Sequence, residues 1–100
     1  MTRLVYRPAA LADLDAIFDY IAADNDRQAH RFIKDIRART RALASHPELG
    51  PARPDLGPGI RILPILGRVV VAYRIGTGAI EIVRVLYGGQ DYEALLRGPA

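Results

Sequence analysis

Residues 47–59 hold four of the chain's seven prolines and three of its nine glycines, and the hydrophobic period changes across this segment. Before it, apolar residues recur at spacings of three and four, the signature of helices that bury one face. Leu11, Leu14, Ile17, Phe18 and Ile21 form a first such stripe; Ala29, Phe32, Ile33, Ile36, Thr40 and Leu43 form a second. Asn25, followed three residues later by Gln28, marks the start of the second helix, and Pro47 forbids its continuation. After the segment the chain reads as strands: 60–65, 68–75 and 79–87, joined by Leu66-Gly67 and Gly76-Thr77-Gly78. Pro64 cannot donate to a ladder, so the first of these belongs at a sheet edge. A short strand at residues 3–7, halted by Pro8, precedes the helices, and Gly88-Gly89 ends the last strand. Asp91 is placed to cap a final helical turn through Leu95 and Leu96. The predicted fold class is a two-layer α+β domain over residues 1–100: an N-terminal strand, a helical hairpin, then a three-stranded antiparallel meander.

The last strand does not alternate cleanly. Plain alternation sends Ile80, Ile82 and Leu86 to one face and Val83 and Val85 to the other. One helical hairpin covers only one sheet face, so the second is expected to be covered by a partner or a second copy. The alternative is that the C-terminal tail folds back across it.

Charge is segregated along the chain. Residues 1–26 carry a net −3, residues 27–47 a net +5 and residues 48–100 a net +1. Thirteen of the fourteen basic residues are arginine, whose planar fork suits phosphate and carboxylate. One basic stretch therefore points to an acidic partner or nucleic acid rather than a membrane. No apolar run approaches the roughly 20 residues of a membrane span, and Met1-Thr2-Arg3-Leu4 lacks a secretory signal's apolar stretch. Zero cysteines exclude disulfides and thiolate chemistry and fit the reducing cytoplasm.

Few residues offer catalysis. His30 and His46 fall at opposite ends of the second helix, and neither has metal-ligand spacing. Ser45 lacks the glycines of a nucleophile elbow. Asp13, Asp15 and Asp19 read as a solvated helix face. No metal and no cofactor is expected. What remains is arginine and tyrosine along the sheet: Arg61, Arg68, Tyr73, Arg74, Arg84 and Tyr87, with Tyr92 beyond. Such a set can grip phosphates and stack bases, or it can form a protein interface.

Several ordered motifs add to this. They run from Pro8-Ala9-Ala10-x-x-Asp13-Leu14-x-x-Ile17-x-x-Tyr20-Ile21 through Ala29, Phe32, Leu43, Pro47, Gly50, Arg53, Leu56 and Gly59-Ile60-Arg61. They continue with Tyr73-Arg74 and end at Ile82-Val83-Arg84-Val85-Leu86-Tyr87-Gly88-Gly89-Gln90-Asp91. In this order and spacing the chain resembles the RelE/ParE superfamily of type II toxin–antitoxin systems, and its ParE branch in particular. Members of that branch commonly read Arg-Val-Leu-His-Gly-x-x-Asp where this chain has Tyr87 in place of histidine. The resemblance implies a growth-inhibiting toxin, associated with plasmid stabilisation, whose ParD-like antitoxin wraps around it and fills an apolar groove.

Two activities occur in that superfamily: ribosome-dependent cleavage of mRNA in RelE-like members, and poisoning of DNA gyrase in ParE-like members. Where the ribonucleases place sheet arginines this chain has Val70 and, later, Gly89, and Lys34 is its only lysine. The resemblance thus implies a non-catalytic gyrase inhibitor that reaches DNA only through its antitoxin. Arg61, Tyr73, Arg74, Arg84, Tyr87 and Asp91 are the expected contacts to target or antitoxin. The alternative is an mRNA interferase with Arg61, Arg68 and Tyr87 as catalytic residues. An inert member, kept as half of a DNA-binding regulatory complex, is a third possibility.

Overall fold

The computed structural model describes residues 2–88 and 90–97. Strand β1 (Arg3–Tyr6) runs through Arg7, in extended geometry, into helix α1 (Pro8–Ala22). Pro8 occupies the first turn, where its missing N–H costs nothing, so the residue that halts the strand also starts the helix. Ala10, Leu14 and Ile17 are buried, whereas Leu11 is 43% exposed and falls off the inner stripe it was expected to join. Asn25 then caps helix α2 (Asp26–Arg41), its Oδ1 accepting from the Gln28 N–H at 3.0 Å. A 3₁₀ turn (Ala42–Ala44) finishes α2 before Pro47, and Leu43 in it is buried. The predicted helical hairpin is present, with α1 packed on α2.

Strands β2 (Arg61–Ile65), β3 (Val69–Gly76) and β4 (Ala79–Tyr87) form the expected antiparallel meander, and β1 joins it alongside β4 in parallel. The result is a mixed four-stranded sheet in the order β1-β4-β3-β2. Pro64 lies on edge strand β2, as its missing donor requires. Leu66 and Gly67, with φ of 57° and 68°, take left-handed conformations at the two central positions of the turn Ile65–Arg68, which the Arg68 N–H closes by donating to the Ile65 carbonyl at 3.2 Å.

The alternation expected for β4 is corrected by a β-bulge. Ala72 pairs with Arg84 but Tyr73 pairs with Ile82, so Val83 is an extra residue. One added residue reverses the phase of everything after it. Ile80, Ile82 and Val85 therefore all face the helices, while Leu86, opposite Val70, turns to the other face. The helix-side core joins them to Leu14, Ile17, Ile36, Leu43, Val71 and Tyr73.

The expectation that a partner or second copy covers the second face is corrected in favour of the alternative: the C-terminal tail folds back across part of it, and the proline-rich segment covers more. Leu56 and Ile60, from the proline-rich segment, pack there with Ile62 and Ala72; Tyr92 and Leu96 of helix α3 (Tyr92–Arg97) pack beside them. Arg53 clasps this cover, donating from Nε and Nη2 to both oxygens of Asp55 at 3.0 and 2.9 Å and also to Glu93 on α3. Asp91 caps α3 as predicted, its Oδ1 accepting from the Ala94 N–H at 3.1 Å. The end of β4 at Gly88 is as expected, and Gly89 lies outside the described residues.

The helix-side end of the proline-rich segment is held by Tyr73. Its buried hydroxyl accepts from the Gly50 N–H at 2.8 Å and donates to the Pro47 carbonyl at 2.7 Å. Gly50 has no room for a side chain: a Cβ there would sit 2.7 Å from the Ile62 carbonyl oxygen and 2.9 Å from the Tyr73 ring. Tyr73→Phe strands the Gly50 N–H and should lower unfolding free energy by about 1–3 kcal/mol in urea titrations. Arg53, as the main cause, holds the Asp55 carboxyl below its ordinary value of 3.8. Its stabilising contribution is then full above that value and disappears as pH falls through the lower folded value. Asp55→Asn should therefore be less stable than the parent at pH 7, with the gap closing in acid below 3.8.

Candidate functional site

β1 stops at Tyr6, so beyond Ile82 strand β4 has lost its neighbour on that side. Helix α1 takes its place. Asp13 Oδ2 accepts the Val85 N–H at 2.8 Å and the Arg84 Nε–H at 2.7 Å, while Oδ1 accepts from Arg84 Nη2 at 2.9 Å. The two most separated of the quoted motifs thus meet in a bidentate ion pair. Asp13 is corrected from the solvated face assigned to it, its side chain being only 14% exposed; Asp15 and Asp19 are exposed as expected. The Asp13 carboxylate, as the leading cause, raises the Arg84 pKa against the opposing effect of burial.

This junction forms one end of a shallow groove of about 360 Å³. Asp13, Ala16, Ile17 and Tyr20 of α1 line one wall; Val85, Tyr87 and Gly88 line the other, with Gln90 at the rim. The Tyr87 ring meets Tyr20 edge-on at 5.8 Å and Phe32 of α2 at 5.6 Å. Phe32 backs the pair, and Tyr20 stands outward, 72% exposed. Gln90 Oε1 accepts the Tyr87 N–H at 3.0 Å and so fixes the corner. An apolar floor, two tyrosines and one amide suit the docking of a peptide side chain. Both Asp13 oxygens are occupied, which removes that carboxylate as a free base.

The residues singled out from the sequence separate into groups. Arg84 and Tyr87 meet at the groove, and Arg68, exposed on the β2–β3 turn, lies near it through its carbonyl, which accepts the Gly88 N–H at 2.9 Å. Arg61 sits at the opposite end of β2, about 13 Å of strand rise away, and donates to the Gly50 carbonyl at 2.7 Å. Tyr73 is buried, Arg74 Nε donates to the Pro58 carbonyl at 2.9 Å, and Asp91 is the α3 cap. Among the described residues no cluster of three or more His, Cys, Asp or Glu could hold a metal. Sequence reasoning missed Asp13, Tyr20 and Gln90 as site residues. The signal for Asp13 was present, since it stands three after Ala10 and four before Ile17, on the margin of the buried stripe.

The family described as ParE toxin of type II toxin–antitoxin system, parDE, matches residues 4–92. Toxin ParE1 of Mycobacterium tuberculosis is 32% identical, over 92% of this chain and 95% of that protein. Toxin RelE2 of Caulobacter vibrioides is 30% identical, over 90% and 99% respectively. A solved structure described as the chromosomal ParDE TA system from P. aeruginosa superposes with a TM-score of 0.76 at 29% identity, covering 88% of this chain and 97% of that one. The same segments that build the Asp13–Arg84 junction and the groove lie within the matched span, and the chain belongs to the ParE toxin family of the RelE/ParE superfamily, in type II toxin–antitoxin systems.

Proposed function

We propose that this toxin arrests growth by binding DNA gyrase rather than by cutting RNA, and that a ParD-like antitoxin neutralises it by occupying the Tyr20–Tyr87 groove. The observation that carries the first half is the separation of Arg61 from Arg68 and Tyr87. A phosphodiesterase needs its phosphate-gripping cation and its proton donor around one reacting atom. Here Arg61 is fixed to Gly50 at the far end of the sheet and the Tyr87 ring is packed edge-on against Tyr20 and Phe32, so of the three only Arg68 stands free for a phosphate. The likeness to a solved ParDE system supports the antitoxin assignment. In this reading the pair stabilises the replicon that carries it, and operator DNA is recognised by the antitoxin.

Purified toxin should abolish gyrase supercoiling at stoichiometric amounts and leave ribosome-bound message intact. Cleaved message with untouched supercoiling would overturn the gyrase reading. Arg68→Ala should retain growth inhibition, measured by induction without antitoxin. Tyr20→Ala removes an exposed anchor and should weaken antitoxin binding by about 1–2 kcal/mol in calorimetry; unaltered affinity would exclude the groove as the docking site.

A further inference from the structure

The arginines of the sheet and those of α2 are used differently. Arg53, Arg61, Arg74 and Arg84 all hold parts of the chain together. On α2, Arg27, Arg31, Lys34 and Arg41 are exposed, and among the described residues none of them forms an ion pair. They follow one another at intervals of four, three and seven residues, which places all four along one stripe of a helix. That stripe lies opposite Ala29, Ile36 and Thr40, the buried side of α2, and rises about 21 Å. Arg37 flanks it, stacked 4.9 Å over the Tyr6 ring. Of the two acids on α2, Asp26 is 3.5 Å from His30, and Asp35 stands to the side with Phe32.

We infer that the outward stripe of α2 docks on the phosphate backbone of duplex DNA without reading sequence. The only other residue within the stripe is Ala38. Beside it, Arg27 and Arg31 share a shallow pocket with Phe32, but Asp35 lines that pocket too and would repel an acidic peptide seated there, while the rest of the stripe offers charge alone. Exposed ion pairs with isolated carboxylates are worth only about 0–1 kcal/mol each. A duplex differs because each neutralised phosphate releases condensed counterions, which drives binding by charge alone. The convex helix also fits the roughly 12 Å major groove of B-form DNA, whereas the major groove of duplex RNA is too deep and narrow to admit side chains. The inference is independent of which enzyme the toxin inhibits, and it adds a direct contact where the sequence suggested DNA only through the antitoxin.

Fluorescence anisotropy of the full-length toxin with a labelled, mixed-sequence DNA duplex two helical turns long tests this directly. Four phosphate contacts predict that log K falls against log salt with a slope of about −3.6 between about 50 and 200 mM. The triple variant Arg27→Gln/Arg31→Gln/Lys34→Gln should bind at least about tenfold more weakly at low salt, with the slope reduced to about −1. Its circular dichroism and thermal midpoint should match the parent, since none of the three side chains is buried. Equal binding of two unrelated duplexes is expected. No DNA binding, unaltered binding by the folded variant, or tighter binding to poly-glutamate or duplex RNA at equal salt would each overturn the inference.

Discussion

A single carboxylate completes this fold. Strand β1 is too short to flank the whole of β4, and an unpaired strand edge leaves N–H groups without partners. Asp13 closes that gap from a helix: it accepts the Val85 N–H and both donors of Arg84. The contact fixes the angle of α1 to the sheet, and with it the groove between Tyr20 and Tyr87. Arg84 cannot be replaced by lysine on equal terms, because only the guanidinium offers two parallel donors to one carboxylate. The joint is polar at its centre and apolar around it, with Ile17 and Val85 shielding the bonds from water.

Elsewhere the same chemistry holds loops in place of helices. Arg53, Arg61 and Arg74 each reach from the sheet or its approach to a backbone carbonyl or carboxylate of the neighbouring cover. The proline-rich segment therefore has little freedom: its prolines restrict the backbone, and Tyr73 and the arginines supply the missing hydrogen bonds. Its Leu56 and Ile60 give the small domain a second apolar layer, which a chain of 100 residues needs to offset its large relative surface. The arginines of α2 take no part in this, which is why they remain available to solvent.

Much of the architecture was legible because it rests on local rules. Asn25 and Asp91 cap helices, Pro64 marks an edge, and the paired helical stripes lead to a hairpin. The break in alternation along β4 was legible but its cause was not, since the bulge at Val83 inserts no unusual residue and shows only in pairing between strands. The cover over the second face was foreseen only as the alternative of a returning tail, which Tyr92 and Leu96 supply; Leu56 and Ile60 lie in a segment with no period, and only the tertiary fold collects them. At the groove, Tyr87 was found through its motif, but Asp13 was assigned to solvent by treating three aspartates as one face. Helical spacing separates Asp13 from Asp15 by about 200°, and their surroundings differ accordingly.

The parallel pairing of β1 with β4 bears on how the toxin comes into being. Arg3 meets Ala79 and Tyr6 meets Ile82, so β1, made before both helices, waits for β4, made after them. Translation at about 5–20 residues per second leaves several seconds in which α1 and α2 exist without a sheet to rest on. Asp13 likewise has no Arg84 to bind until that strand emerges. The groove cannot be assembled piecemeal. Each newly made molecule passes through an interval in which the α1 wall of the groove has been synthesised and the β4 wall has not, so it is not yet able to engage anything through that site.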